Sequence, residues 1–210
     1  MVKLQLALDT VGLKEALSLL GEVSSFIDIV EVGTPFIIRD GISAVTEIKK
    51  TLPSMEVLAD LKIMDAGEFE ADLGFKGGAD IVTVLAVADD ATIRGVISSA
   101  RKWKKRVMVD MIGVANLTER AEEIDVLGAD YLCVHTAFDL QATGRNPLED
   151  LRKVKKVVRK TAIAVAGGIR LETLGETVRE KPEVIIVGAG ITARDDRRET
   201  AAAMKRIMNG

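Results

Sequence analysis

The sequence predicts a single-domain α/β fold, a (β/α)8 TIM barrel, on three observations. Short apolar, β-branched runs recur eight times, amphipathic segments alternate with them, and no linker or change of composition divides the 210 residues. The runs occupy residues 4–8, 27–32, 57–61, 81–86, 107–111, 131–134, 162–166 and 184–187. Nearly continuous apolar stretches of this length suit parallel strands covered on both faces. A strand and its crossover helix need about 25 residues, so eight units fill the chain and 1–210 forms one domain around one core. A doubly wound open sheet is the other architecture that the alternation allows.

Between the runs, apolar residues return at three- and four-residue spacing over 13–23, 41–52, 91–103, 117–127, 148–158, 171–179 and 199–208. That is the period of a helix with one buried face. Two stretches echo one another, Gly77-Gly78-Ala79-Asp80-Ile81-Val82 and Gly128-Ala129-Asp130-Tyr131-Leu132. In each, glycine stops a helix and aspartate opens the next strand, which places Asp80 and Asp130 at the foot of the barrel in structural roles. The basic run Arg101-Lys102-Trp103-Lys104-Lys105-Arg106 is expected to close the C-terminal end of a helix, where positive charge meets the helix dipole.

Composition excludes several classes of function. With 29 basic and 32 acidic residues the formal charge is −3, which argues against nucleic acid as a partner. No apolar run approaches the ~20 residues that cross a bilayer, and the chain opens directly on a strand, so no membrane partner is expected. Cys133 is the only cysteine and lies within an apolar run, a small core residue that forms no internal disulfide. A cytoplasmic location is the expectation.

The working face of such a barrel is the C-terminal end of its strands, so the polar residues that close each run are the candidates. Within Val57-Leu58-Ala59-Asp60-Leu61-Lys62-Ile63-Met64-Asp65-Ala66-Gly67, Asp60 and Lys62 lie two apart on one side of a strand, and Asp65 lies just past its end. Buried charges must be paired, metal-bound or turned to a polar cleft, and a salt-bridge network that only orders the fold would also satisfy them. Asp9 closes the first run, or else caps the helix that follows it. Glu31, flanked by apolar strand residues, needs a cation. Asp110 closes the fifth run and His135, the only histidine, closes the sixth, as an acid/base or as a hydrogen-bonded structural residue. Glu31 and Asp60 on adjacent strands form an oxygen-rich pair suited to Mg2+, with Mn2+ as a substitute. The last two runs end in Ala166-Gly167-Gly168-Ile169 and Val187-Gly188-Ala189-Gly190-Ile191-Thr192. Gly167, Gly168, Gly188 and Gly190 let backbone N–H groups approach an anion, which predicts a phosphorylated substrate, with Arg194 adding a charge.

These residues resemble the orotidine 5′-monophosphate decarboxylase superfamily, whose Asp-x-Lys-x-x-Asp motif is matched by Asp60, Lys62 and Asp65. The likeness runs through Leu4-Gln5-Leu6-Ala7-Leu8-Asp9, Glu31-Val32-Gly33-Thr34-Pro35, Val109-Asp110-Met111, Val134-His135-Thr136 and Asp139-Leu140-Gln141-Ala142. Glu31 is similar to the metal-dependent sugar-phosphate branch, since the nucleotide decarboxylase has a lysine there and uses no metal. The branch's 3-keto-L-gulonate 6-phosphate decarboxylase typically has Glu at the position of Asp110 and a basic residue shortly after the histidine, where this chain has Thr136-Ala137-Phe138-Asp139. Both departures favour the branch's aldolase.

The resemblance implies a reversible condensation of formaldehyde with D-ribulose 5-phosphate to D-arabino-3-hexulose 6-phosphate through an enediolate. In that scheme Mg2+ sits on Glu31 and Asp60, Lys62 stands beside the anion, and His135 moves the proton at C1. Asp110 and Asp9 orient substrate hydroxyls. The resemblance also implies a homodimer in which Asp65 reaches the neighbouring subunit's site. The alternatives are the decarboxylase and a non-catalytic phosphosugar-binding dimer; the latter is disfavoured because every charged position of the motif is filled.

Overall fold

A computed structural model, describing residues 2–144 and 146–210, closes eight parallel strands into a barrel in sequence order. They are β1 Lys3–Leu8, β2 Ile29–Val32, β3 Glu56–Ile63, β4 Ile81–Leu85, β5 Arg106–Asp110, β6 Tyr131–His135, β7 Ala162–Ala166 and β8 Val184–Val187. The helices are α1 Leu13–Val23, α2 Thr34–Asp40, α3 Ser43–Thr51, α4 Gly67–Lys76, α5 Asp90–Trp103 and α6 Leu117–Leu127. They continue with α7 Phe138–Gln141, α8 Leu148–Val157, α9 Leu171–Arg179, α10 Ala189–Thr192 and α11 Arg197–Asn209. All eight expected strands form, and closure excludes the open sheet.

Strand alternation separates two cores. Outward residues such as Leu4, Leu6, Val30, Val57, Val82, Val107, Leu132 and Val165 pack with helix residues such as Leu19, Ile48 and Val96. Inward residues Ile29, Leu58, Ile81, Met108 and Cys133 form an apolar floor inside the barrel. Two residues further along the same five strands stand Glu31, Asp60, Thr83, Asp110 and His135, and residues two apart share a face. The polar layer is therefore the continuation of the floor toward the strands' C-terminal ends.

Four helices among the described residues lie outside the segments expected from sequence: α2, α4 and the four-residue α7 and α10. In α2, Pro35 stands in the first turn, where its missing N–H costs nothing and its fixed φ suits a helix start. In α4, Phe69 and Leu73 are exposed while Ala71 and Phe75 are buried, so apolar residues lie all round and no single stripe shows. The longest strand, β3, also leaves the regular ladder. Its Ala59 pairs with Val82 and its Ile63 with Val84, four steps against two, with Lys62 at φ +47° inside the irregularity.

The barrel's foot is closed by ion pairs. Asp80 accepts from Lys49 Nζ at 2.7 Å, Lys105 Nζ at 2.6 Å and the Val57 N–H at 3.0 Å. Asp130 takes both oxygens to Arg101 and accepts the Val107 N–H. The basic run thus does more than close α5: Arg101 and Lys105 reach these aspartates, and Lys102 reaches Asp72.

Burial alone would raise the Asp80 carboxyl, but Lys105, Lys49 and the Val57 N–H outweigh it and hold it below its ordinary value. Its stabilisation is complete above about pH 4 and is lost as the pH falls through the lowered value. Asp80→Ala is expected to lower the unfolding free energy by about 2–3 kcal/mol at pH 7, read by urea titration. The gap to wild type narrows in acid below about pH 4.

Candidate active site

Lys62 sits at the centre of the polar layer. Its ammonium lies 2.5 Å from Asp60 Oδ2, on its own strand, and 3.6 Å from Asp110 Oδ2, two strands away. Burial alone would depress the lysine, yet Asp60, Asp110 and Glu31 outweigh it and hold the ammonium above its ordinary value. Asp60 is further held by the Thr83 hydroxyl, donating to Oδ1 at 2.7 Å, and by that of Thr34, whose one hydrogen is shared between Oδ2 at 2.8 Å and the Asp60 carbonyl at 2.7 Å.

His135 Nδ1 lies 2.8 Å from Asp110 Oδ2, and the Ile112 N–H donates to Oδ1 at 3.0 Å. Although burial opposes it, the His135 hydrogen bond and charge, with Lys62 and the Ile112 N–H, hold the Asp110 carboxyl below its ordinary value. An ionised carboxylate only accepts, so Nδ1 carries the hydrogen and Nε2 is left as the nitrogen that can exchange a proton.

Asp9 and Glu31, unlike Asp110, are both shifted upward. Glu31 is buried and pushed well up, first by desolvation and then by Asp60 and Asp9, against the Gln5 amide that donates to Oε2 at 2.6 Å. Desolvation and Asp60 also raise Asp9. Asp9 does not cap α1, whose N-cap is Gly12. It lies against Gly33, where a Cβ would stand 2.0 Å from its Oδ1, so only glycine admits the carboxylate there. Four carboxylates, Asp9, Glu31, Asp60 and Asp110, thus surround Lys62 and His135.

Among the described residues no three His, Cys, Asp or Glu side chains form a set that could hold a metal ion. Glu31 and Asp60 would supply two oxygen ligands, the number from which Mg2+ completes its shell with water and substrate. Gln5 Oε1, buried and without a hydrogen-bond partner, is an orphaned oxygen beside Glu31. Surplus negative charge, an all-oxygen donor set and this orphan fit a hard divalent cation.

The glycine segments after β7 and β8 adjoin the same rim. Gly167, at φ +112°, would bring a Cβ 2.5 Å from Thr136 O, so the loop after β7 lies directly on the end of β6 only because it has no side chain there. Gly168 faces Gln141, Gly188 faces Asp9 Oδ2, and Gly190 faces Ile169 O. Arg194 is half-exposed and engaged with Asp196 at 3.3 Å and Glu172 at 4.0 Å, apart from the carboxylates. Asp65 is likewise not brought to this site: it is exposed, its Oδ1 accepting the Ala66 N–H. Sequence reasoning missed Gln5, Thr34 and Thr83, neutral residues of which only Gln5 shares strand parity with a charged position, Asp9.

A cavity of about 780 Å³ opens beside His135, lined by Met111, Val114, Thr136 and Leu140 among others, within the size range of small-molecule sites. Another, of about 670 Å³, lies between the β4 and β5 loops and contains none of the charged cluster.

The model of the orotidine 5′-phosphate decarboxylase / HUMPS family matches residues 2–204. A 3-hexulose-6-phosphate synthase of Bacillus subtilis is 52% identical over 207 residues, covering 99% of each chain. The crystal structure of 3-hexulose-6-phosphate synthase from Salmonella typhimurium superposes with a TM-score of 0.97 at 47% identity, again over 99% of each. That of a 3-keto-L-gulonate-6-phosphate decarboxylase from Vibrio cholerae gives 0.85 at 25% identity, over 99% of this chain and 97% of that one.

A carboxyl with a raised value contributes stability that is present below its ordinary value and lost as the pH rises through the raised one. Glu31→Gln keeps the shape and the acceptor for Gln5 while removing the ionisable group. In metal-free buffer it is expected to melt about 3–5 °C above wild type at pH 8 and together with it at pH 4, read by scanning calorimetry.

Proposed function

The chain belongs to the orotidine 5′-phosphate decarboxylase / HUMPS family, and on that footing we propose that it is a lyase of the aldolase type. It condenses formaldehyde reversibly with D-ribulose 5-phosphate to give D-arabino-3-hexulose 6-phosphate. The observation that carries this reading is the full-length identity of 52% to a synthase, against 25% to the decarboxylase. The convergence of Glu31, Asp60, Lys62, Asp110 and His135 at the barrel mouth supports it.

Mg2+, or Mn2+ in its place, held by Glu31 and Asp60 would supply Lewis-acid charge beside the substrate's oxygens. His135 Nε2 takes the proton from C1 of the pentulose, while Asp110 holds Nδ1 and stabilises the imidazolium that results. Lys62 sets a fixed positive charge beside the enediolate. C1 then bonds to the carbon of formaldehyde, the carbonyl electron pair moves to its oxygen, and the imidazolium proton neutralises that oxygen. Asp9 and Asp110 orient hydroxyls. The backbone at Gly167, Gly168, Gly188 and Gly190 takes the phosphate, with Arg194 turning from Asp196 to join it.

The active unit is a homodimer. Met64, Phe69 and Leu73, exposed around Asp65 and along α4, form an apolar face that a second copy covers, carrying Asp65 to the partner's site. No helix among the described residues is long and apolar enough to cross a membrane. Cytoplasmic residence suits the single buried thiol of Cys133.

Formaldehyde consumption with ribulose 5-phosphate and Mg2+ is expected in wild type and abolished by EDTA or by Glu31→Gln. His135→Ala should lower kcat by about 100-fold or more. Carbon dioxide release from 3-keto-L-gulonate 6-phosphate without formaldehyde consumption would assign the decarboxylase instead. Mixing the two inactive variants Asp65→Asn and Lys62→Ala should restore about a quarter of wild-type activity through hybrid dimers with one intact site. No recovery after subunit exchange would refute shared sites.

A further inference from the structure

We propose that Thr83 is a positioning residue that sets both Asp60 and Lys62, an inference that rests on the function proposed above. Its side chain, 3% exposed, stands inward on β4 opposite the irregular stretch of β3. Between Ala59↔Val82 and Ile63↔Val84, β3 spends four steps where β4 spends two, so the backbone of Lys62 has no regular ladder partner on β4. The Thr83 hydroxyl takes that place, accepting the Lys62 N–H at 2.9 Å. Its single hydrogen goes to Asp60 Oδ1 at 2.7 Å. An amide N–H can only donate, so the hydroxyl oxygen accepts it and the hydroxyl's own hydrogen is left for the carboxyl oxygen.

One hydroxyl therefore does two things. It turns one carboxylate oxygen of Asp60, whose other oxygen holds Thr34 and Lys62. It also secures Lys62 at φ +47°, a left-handed conformation that residues with a side chain rarely adopt. With the backbone held there, the ammonium reaches Asp60 on β3 and Asp110 on β5 together. Valine matches threonine in shape but can neither accept the amide nor donate to the carboxylate, whereas serine can do both.

The test compares wild type, Thr83→Val and Thr83→Ser in three measurements: Mn2+ affinity by paramagnetic resonance, kcat, and hydrogen exchange of the Lys62 amide. Thr83→Val is expected to weaken Mn2+ binding and lower kcat by about 10–100-fold each. Its Lys62 amide should exchange about tenfold faster or more. Thr83→Ser should stay within about threefold of wild type in all three. A Thr83→Val protein within about twofold of wild type, or a Thr83→Ser protein as impaired as Thr83→Val, overturns the inference. Should Thr83→Val fail to fold, Thr83→Ala against Thr83→Ser makes the same comparison. If wild type itself neither binds Mn2+ nor consumes formaldehyde, the proposed function falls. Exchange at Lys62 then still decides the positioning role, since it needs neither metal nor substrate.

Discussion

Everything at the mouth of this barrel depends on one electrostatic constraint: four carboxylates share a partly desolvated space with the ammonium of Lys62 and the ring of His135. Like charges so placed cannot all remain ionised without a cation near them. Lys62 settles the account for Asp60 and Asp110, which it touches. Glu31 and Asp9 also feel Lys62, but desolvation and the neighbouring carboxylates outweigh it and push them upward. A site with surplus negative charge is a cost to the apo fold and an attraction for a divalent cation, and both follow from the same arrangement.

The foot of the barrel uses the same residue types to the opposite end. Asp80 receives two ammonium groups and a backbone N–H, and is held below its ordinary value. Glu31 receives one amide and two neighbouring carboxylates, and rises. Acidic side chains at opposite ends of one β-barrel thus differ in how fully their charge is matched. The matched end serves stability, and the mismatched end lies on the rim where parallel barrels present the C-terminal ends of all their strands and carry their chemistry.

Between these ends the apolar floor fixes the level at which chemistry begins. Ile29, Leu58, Ile81, Met108 and Cys133 fill the interior on β2 to β6, and the next inward residue on each of these five strands is polar. Water is excluded below that level, so hydrogen bonds and charges above it act against a low-dielectric base. The irregularity in β3 adds what regular alternation cannot: it lets one strand deliver Asp60 and Lys62 to the same point while Lys62 also reaches across to β5.

The sequence by itself determined eight alternating strand and helix units, because apolar runs and the helical period between them are local consequences of covering each strand on both faces, while their closure into a barrel rather than an open sheet was decided by the tertiary structure. It also marked Asp9, Glu31, Asp60, Lys62, Asp110 and His135, since a charge or an imidazole ending an apolar run is conspicuous on burial cost alone. It hid α4, whose apolar residues lie on both sides, and the short helices α2, α7 and α10, too brief to show a helical period. Only tertiary structure decided that Asp65 stands outside its own chain's cluster and that Arg194 is engaged with Asp196 and Glu172. It also decided that Gln5, Thr34 and Thr83 hold the charged groups in place. Neutral side chains carry no burial signal of their own, and their roles arise when strands distant in sequence are brought within hydrogen-bond reach.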